Sequence, residues 1–206
     1  MTTLMLATGN AGKVAELRAL LNLHLDMSRV MLLTPNDWPS ELPEVVEDGE
    51  SFVDNALLKA RAFSGATGLA VLADDSGLCV DALDGRPGLL SARWAGPEAI
   101  DADRNLRLLA EMTGLPAGER TAHFFCAVAL VLPNREAVSA VGRCEGRILE
   151  APRGTDGFGY DPLFYLPTVG RTMAELTADE KNRLSHRANA ISGLAPHLRD
   201  FLCLPV

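Results

Sequence analysis

Two runs of residues combine types that do chemistry. Thr8-Gly9-Asn10-Ala11-Gly12-Lys13 follows a short apolar run, Leu4–Ala7, and precedes a helical pattern. Small residues let the main chain approach a ligand, and a helix N-terminus presents free N–H groups to an anion. Lys13 adds a point charge. The run is not a P-loop, which needs four residues between its glycines and Ser or Thr after its lysine. Here two residues separate Gly9 from Gly12, and Val14 follows the lysine. An ordinary strand-to-helix turn with an exposed lysine has the same appearance. The second run is Asp74-Asp75-Ser76-Gly77, read as the end of a buried strand, Leu69–Ala73. Ligands of α/β sheets bind at the carboxyl ends of strands. Adjacent carboxylates there repel unless a metal or a proton uses the charge. A solvated acidic turn is the plain alternative.

Four further groups belong to the same inventory. The loop Glu44-Val45-Val46-Glu47-Asp48-Gly49-Glu50 is acidic, and one of its carboxylates could complete a magnesium site with Asp75. Otherwise it is a solubilising loop before a capped helix. Lys59 falls on the apolar face of that helix, with Phe52, Ala56 and Phe63, so its stem snorkels or its ammonium meets a phosphate. Gly157-Phe158-Gly159-Tyr160-Asp161-Pro162 sets two aromatics and a carboxylate among glycines. That suits a slot for stacking a base, or a loop plugged into the core. Lys181 and the following Ser185-His186-Arg187 offer cations for phosphate or base oxygens, or a plain charged helix face.

The elements that must hold these groups alternate. Leu4–Ala7 reads as a strand. Val14, Leu17, Leu20 and Leu21 keep helical spacing. Residues 34–50 are rich in proline and acids and read as loop. Ser51 caps a helix with Asp54 in its first turn. Leu69–Ala73 and Leu78–Leu83 read as two strands. Asp101–Met112 reads as a helix with Leu106, Leu109 and Met112 on one side. Thr121–Leu132 is apolar on both faces and therefore central. Pro133-Asn134 turns the chain into a returning strand within Glu136–Leu149. After Thr177, which stands in capping-box spacing to Glu180, the chain is helical. The expected order is β, α, β, β, α, β, β, loop, α. It predicts an α/β class, a layered α/β/α arrangement on a mixed sheet, in one domain over residues 1–206.

Composition bounds the partners. Lys plus Arg number 19 and Asp plus Glu 27, a formal charge of -8 over 206 residues. Such a chain is not expected to bind a nucleic acid polymer, which takes many phosphate contacts, or an acidic membrane. The longest apolar run, Phe124–Leu132, has nine residues, about half of a membrane-spanning helix. Cys79, Cys126, Cys144 and Cys203 form no CxxC pair and read as buried reduced thiols. A cytoplasmic location is the expectation.

Taken together, the segments LATGNAGK (6–13), SFVDNALLKA (51–60), ADDSGLCVDAL (73–83), PGLLSARWAG (87–96), DGFGYDP (156–162) and ELTADEKNRLSHR (175–187) are highly specific. In this order the chain closely resembles the inosine triphosphate pyrophosphatase family, which removes non-canonical purine nucleoside triphosphates. The resemblance implies an elongated mixed sheet with two lobes around a central cleft, usually in a homodimer. It implies that Thr8, Gly9, Asn10, Ala11, Gly12, Lys13 and Lys59 hold the triphosphate. Asp75 would be the general base and, with Glu47, a Mg2+ ligand. Ser76 would contact substrate. Phe158, Gly159, Tyr160 and Asp161 would hold the purine, with Lys181, His186 and Arg187 completing the site. Position 46 is Val, where members often carry a second acid, and position 94 is Trp, where Tyr or Phe is commoner.

The implied reaction takes ITP, dITP or XTP and water to the monophosphate and pyrophosphate. Lys13, Lys59 and Lys181 would balance the charge of the leaving pyrophosphate. Donors at Arg187, His186 or the main chain would accept a 6-oxo purine and leave donors unpaired against the 6-amino group of adenine. Two rivals stand beside this reading. One is the septum-inhibitor-like pyrophosphatases of pyrimidine triphosphates, whose first loop carries Ser and paired Arg. The other is a non-catalytic nucleotide-binding module.

Overall fold

The computed structural model describes residues 2–133 and 136–202. Asn134, in the expected turn, and Cys203 lie outside them. The first strand, β1 (Thr2–Leu6), leads through Ala7–Asn10 into helix α1 (Ala11–His24). Asn10 starts that helix by accepting the Lys13 N–H at 3.0 Å, and Leu17, Leu20 and Leu21 form its buried stripe.

A short strand, β2 (Val30–Leu33), comes next. The sequence reading lacks it, because four residues with one buried side chain carry no legible alternation. It pairs parallel with β1, Thr2 opposite Val30 through Met5 opposite Leu33. Helix α2 (Phe52–Thr67) begins as expected, with the Ser51 hydroxyl accepting the Asp54 N–H, and ends at Gly68 with φ 69°.

Three expectations need correction. The two strands read on either side of Asp74-Asp75 are one strand, β3 (Ala70–Val80), so the acidic pair lies mid-strand. In helix α3 (Asp101–Glu111) the buried residue is Leu108, followed by Met112 just past its end, and Leu106 is 66% exposed. Two residues along a helix turn the side chain about 200°, which sends Leu106 to the opposite side. The helical stretch after Thr177 is two helices, α4 (Ala178–Leu184) and α5 (His186–Leu202), broken where Ser185 turns extended at ψ 156°. Thr177 and Glu180 do form the expected capping box.

Strands β4 (Thr121–Val131), β5 (Val138–Ile148), β6 (Phe164–Leu166) and β7 (Arg171–Thr172) complete a seven-stranded sheet in the order β2-β1-β3-β4-β5-β6-β7. β4 is the middle strand, as its two-faced apolarity requires. β1 pairs parallel with β3, while β5 with β6 and β6 with β7 are antiparallel, so the sheet is mixed and the class is α/β.

The chain forms two compact units. The first takes the chain up to Asp75, Cys126–Gly142 and the segment from His186 onward. The second takes Ser76–Phe125 and Arg143–Ser185. In the first, Leu4, Leu6, Ala70, Leu72, Cys126, Val128 and Leu130 join Leu17, Leu20 and Leu21 of α1 and Ile191, Leu194 and Leu198 of α5 in one core. The alternate strand residues Met5, Val71, Ala73, Ala127 and Ala129 are buried too, so both sheet faces are covered. In the second, Leu78, Phe124, Ile148, Tyr160, Phe164 and Met173 pack with Leu108 and Met112. Burial pushes the free thiol of Cys126 up to about 12 and that of Cys144 up to about 11. Cys79 is also free. No described helix is long and apolar enough to cross a membrane.

In the first unit β5 meets α5 at Gly142, where an added Cβ would overlap the His186 carbonyl oxygen and the Ala190 nitrogen. Both are main-chain atoms that cannot swing aside. Gly142→Ala is therefore expected to cost about 2 kcal/mol, measured by urea unfolding. A loss below about 0.5 kcal/mol would show instead that the helix shifts freely.

Candidate functional site

The acidic pair in β3 is divided by the strand itself. Successive side chains point to opposite faces. Asp74 shares the face of Ala70 and Leu72, under α1 and α5. Asp75 shares the face of Val71 and Ala73. The burial of both, 0% and 7% exposed, overturns the solvated-turn reading.

Asp74 gathers cations from three elements. Its Oδ2 lies 3.1 Å from Lys13 Nζ and accepts from Arg187 at 3.0 and 3.2 Å. Its carbonyl accepts from Lys59 Nζ at 3.2 Å. Arg187, 1% exposed, also pairs with Glu16 on α1. Burial alone would raise the Asp74 carboxyl, but the charges of Lys13, Arg187 and Lys59 override it and hold the group far below the usual carboxylate range. Lys13 and Arg187 both stand in first helical turns, so two helix N-termini also favour negative charge here.

Asp75 faces a different set. Its Oδ2 accepts from Asn55 Nδ2 on α2 at 3.0 Å. Glu47, in the acidic loop, pairs with Lys59 at 2.8 Å and keeps its side chain 31% exposed. Burial raises the proton affinity of Asp75. The Asn55 hydrogen bond and the charges of Lys13 and Lys59 oppose that, and Glu47 adds to it. Two carboxylates acting on one another, both hard oxygen donors, fit a divalent cation such as Mg2+. Among the described residues no three His, Cys, Asp or Glu side chains gather to hold an ion by themselves. Mg2+ does not require that, because it uses one or two carboxylates with substrate phosphates and water. Gly9, Asn10 and Ala11 are exposed, and nothing lies within 4 Å of where a Gly9 side chain would begin.

The second unit carries the glycine-aromatic loop. Phe158 is half-buried. Lys181 Nζ lies 4.9 Å from its ring centroid and 2.5 Å from Asp161 Oδ2. Asp161 Oδ2 also accepts the Phe158 N–H at 2.9 Å. Tyr160 is the plug, 4% exposed with its hydroxyl donating to the Ser91 carbonyl at 2.9 Å. Gly159 is held at both ends, its N–H by Asp101 at 2.7 Å and its carbonyl by Asn105 at 2.9 Å. Ser76 is half-buried on β3.

Residues 4–197 match the Ham1 family. The chain belongs to the Ham1 family. Among similar proteins of that kind, the dITP/XTP pyrophosphatase of Geobacter sulfurreducens is 49% identical over 198 residues, covering 96% of this chain and 97% of its own. The dITP/XTP pyrophosphatase of Shouchella clausii is 46% identical over 194 residues, covering 94% and 95%. The HAM1 protein structure from Coxiella burnetii superposes with a TM-score of 0.85 at 39% identity, covering 97% of this chain and all of that one.

In this Ham1 chain the expected residues fall into two groups. Glu47, Lys13, Lys59, Asp75 and Arg187 share contacts in the first unit, where His186 is also buried. Phe158, Gly159, Asp161 and Lys181 share contacts in the second. Sequence reasoning missed Asn55, Glu16, Asp101 and Asn105. Only Asn55 had a visible signal, a polar side chain one turn before Lys59 on the apolar face of α2.

Removing Asp74 leaves Arg187 buried without its main counter-charge. Asp74→Ala is expected to cost about 3–5 kcal/mol in denaturant unfolding, and a cost below about 1 kcal/mol would contradict the role given to it. At α4 the Arg171 ion pair and the Thr177 N–H hold the Glu180 carboxyl down to about 2 from 4.5. The folded value is the lower one, so this contribution is full above pH 4.5 and fades as pH falls toward 2. NMR titration should find the Glu180 midpoint near 2, moving toward 4.5 in Arg171→Ala. An unmoved midpoint would refute the pairing.

Proposed function

We propose that this Ham1 family member hydrolyses non-canonical purine nucleoside triphosphates, ITP, dITP and XTP, to the monophosphate and pyrophosphate. The observation that carries the reading is the Asp75 environment. A buried carboxylate faces a second carboxylate, Glu47, and feels two lysines, Lys13 and Lys59, beside an exposed glycine loop at a helix N-terminus. Ionic recognition of phosphate and a basic group share one place. The names of the relatives agree with this chemistry.

The sequence resemblance and these positions support the following roles. The Thr8–Lys13 loop and the first N–H groups of α1 bind phosphate oxygens. Lys13 and Lys59 balance charge on the departing pyrophosphate. Asp75 orients the attacking water and takes its proton. The water oxygen bonds to the α-phosphorus, the bond from that phosphorus to the bridging oxygen breaks, and pyrophosphate leaves with that oxygen. Asp75 and Glu47 would hold Mg2+, which supplies neutralisation of phosphate charge and eases deprotonation of the water. Ser76 contacts the substrate. Phe158 stacks the purine, and Lys181, expected at the pyrophosphate but found beside the Phe158 ring, is reassigned as a donor to a 6-oxo group, a hydrogen bond that the 6-amino group of adenine cannot accept. Arg187 and His186 complete the site from the start of α5, Arg187 through Asp74. The same reading includes a homodimer, which the sequence resemblance implies, and a cytoplasmic location, which is the expectation from composition.

A panel of ITP, XTP, dITP, GTP, ATP and dTTP with Mg2+, scored for pyrophosphate, tests the reading. The 6-oxo substrates ITP, XTP and dITP should exceed ATP by at least about a hundredfold in kcat/KM. Preference for dTTP would favour a pyrimidine enzyme, and binding without turnover a non-catalytic module. Asp75→Asn should lose about a hundredfold or more in kcat while still binding nucleotide. Near-normal turnover in that variant would remove Asp75 as the base.

A further inference from the structure

We propose that Asn55 is a positioning residue that locks the Asp75 carboxylate and the loop carrying Glu47 into one arrangement. The inference rests on the roles proposed above for Asp75 and Glu47. Asn55 is 1% exposed, in the first turn of α2. Its Nδ2 donates to Asp75 Oδ2 at 3.0 Å, and its Oδ1 accepts the Gly49 N–H at 2.8 Å. The two partners decide which way the amide faces. A carboxylate only accepts and a main-chain N–H only donates, so a flipped amide would mismatch both.

The contact is made at close quarters. An added Cβ on Gly49 would stand 2.7 Å from Asn55 Oδ1 and 2.8 Å from Asp54 Cβ. Only glycine lets the loop approach. Residues 41–49 have no regular secondary structure, and Val46 is 71% exposed. Two ties help to place Glu47: its own ion pair with Lys59, and the Asn55–Gly49 hydrogen bond two residues along the loop. The same amide fixes the rotation of the Asp75 carboxylate. One side chain thus sets both carboxylates, and neither aspartate nor glutamine can replace it. Aspartate would set an anion against Asp75, and glutamine adds a methylene in a buried site.

The test uses the full-length protein. Kinetics on ITP are paired with Mn2+ binding followed by EPR and with hydrogen exchange at the Gly49 amide. Asn55→Ala should lower kcat roughly tenfold or more with KM changed less than about threefold, and weaken Mn2+ binding by about tenfold. The Gly49 amide should exchange about tenfold faster. Asn55→Asp, nearly isosteric, should lose kcat to about the same degree while leaving Gly49 protected, since its oxygen still accepts. A folded Asn55→Ala with kcat and Mn2+ affinity within about twofold of the parent overturns the proposal. If that variant does not fold, full kcat in Asn55→Asp overturns it. Asp75→Asn separates the two levels. If it keeps its turnover, the assigned base is wrong; if it loses turnover and the Asn55 variants do not, only the positioning role falls.

Discussion

The first unit depends on a carboxylate that has no access to water. Asp74 is 0% exposed, and its charge survives there because Lys13, Arg187 and Lys59 reach it from three helices. An isolated buried charge costs several kcal/mol or more, and removing one partner of a buried pair is worse than never having had the pair. The arrangement therefore ties α1, α2 and α5 to β3 at defined positions. Glu16 adds a second acid against Arg187, so two acids, Asp74 and Glu16, meet two bases, Lys13 and Arg187, and the inner cluster is close to neutral. What it contributes is less net stability than position. Lysines are long and mobile, and here two of them are held at known places beside an exposed glycine loop.

Strand geometry then turns one acidic dipeptide into two devices. Asp74 faces the helices that it fastens, and Asp75 faces Asn55 and the acidic loop. Had the pair ended a strand, both carboxylates could have turned into water, and neither would carry a perturbed proton affinity. In the middle of β3 the backbone decides their directions. The cations that fix Asp74 also moderate Asp75. Burial pushes Asp75 upward, and Lys13 and Lys59 restrain that rise, leaving an ionisable group beside fixed cations, the arrangement that the proposed phosphate chemistry would use. The overall charge of -8 does not oppose this, since the local field comes from side chains collected from distant parts of the chain.

What the sequence made legible was local chemistry. The Ser51 start of α2 and the Thr177–Glu180 capping box depend on residues three apart, and both are present. The central place of β4 followed from its two-faced apolarity. What stayed illegible was tertiary. Nothing within Ala73–Gly77 says that two acids can lie inside a strand, because the cations that permit it are at positions 13, 59 and 187. β2 escaped because parallel pairing with β1, not its own pattern, makes it a strand. Ser185 escaped because the pattern is helical on both sides, and the break matters, since it gives Arg187 a place in a new first turn. The motif resemblance named Lys13, Lys59, Asp75 and Arg187 but not Glu16, Asn55, Asp101 or Asn105, which hold the side chains and main chain of others.

The second unit shows the same economy with hydrogen bonds in place of charge. The glycine-aromatic loop is short, and its shape is set by its backbone. Gly157 has φ 78°, and a side chain there would overlap the Asp161 carboxylate. Gly159 has φ 64° and is gripped at its N–H by Asp101 and at its carbonyl by Asn105, both on α3. Tyr160 is driven into the core, and Asp161 ties the loop to Lys181. With both neighbours fixed, the Phe158 main chain has little freedom left to lose, and the stacking proposed for its ring would meet a loop already ordered. Ordering a loop on binding costs about 0.5–1.5 kcal/mol for each side chain immobilised, and under the proposed role that cost would be met in folding. Under the proposed role, selectivity between purines that differ at one ring position would use such a fixed frame. A loop able to move by half an ångström could satisfy either a 6-oxo or a 6-amino group, and the choice would be lost.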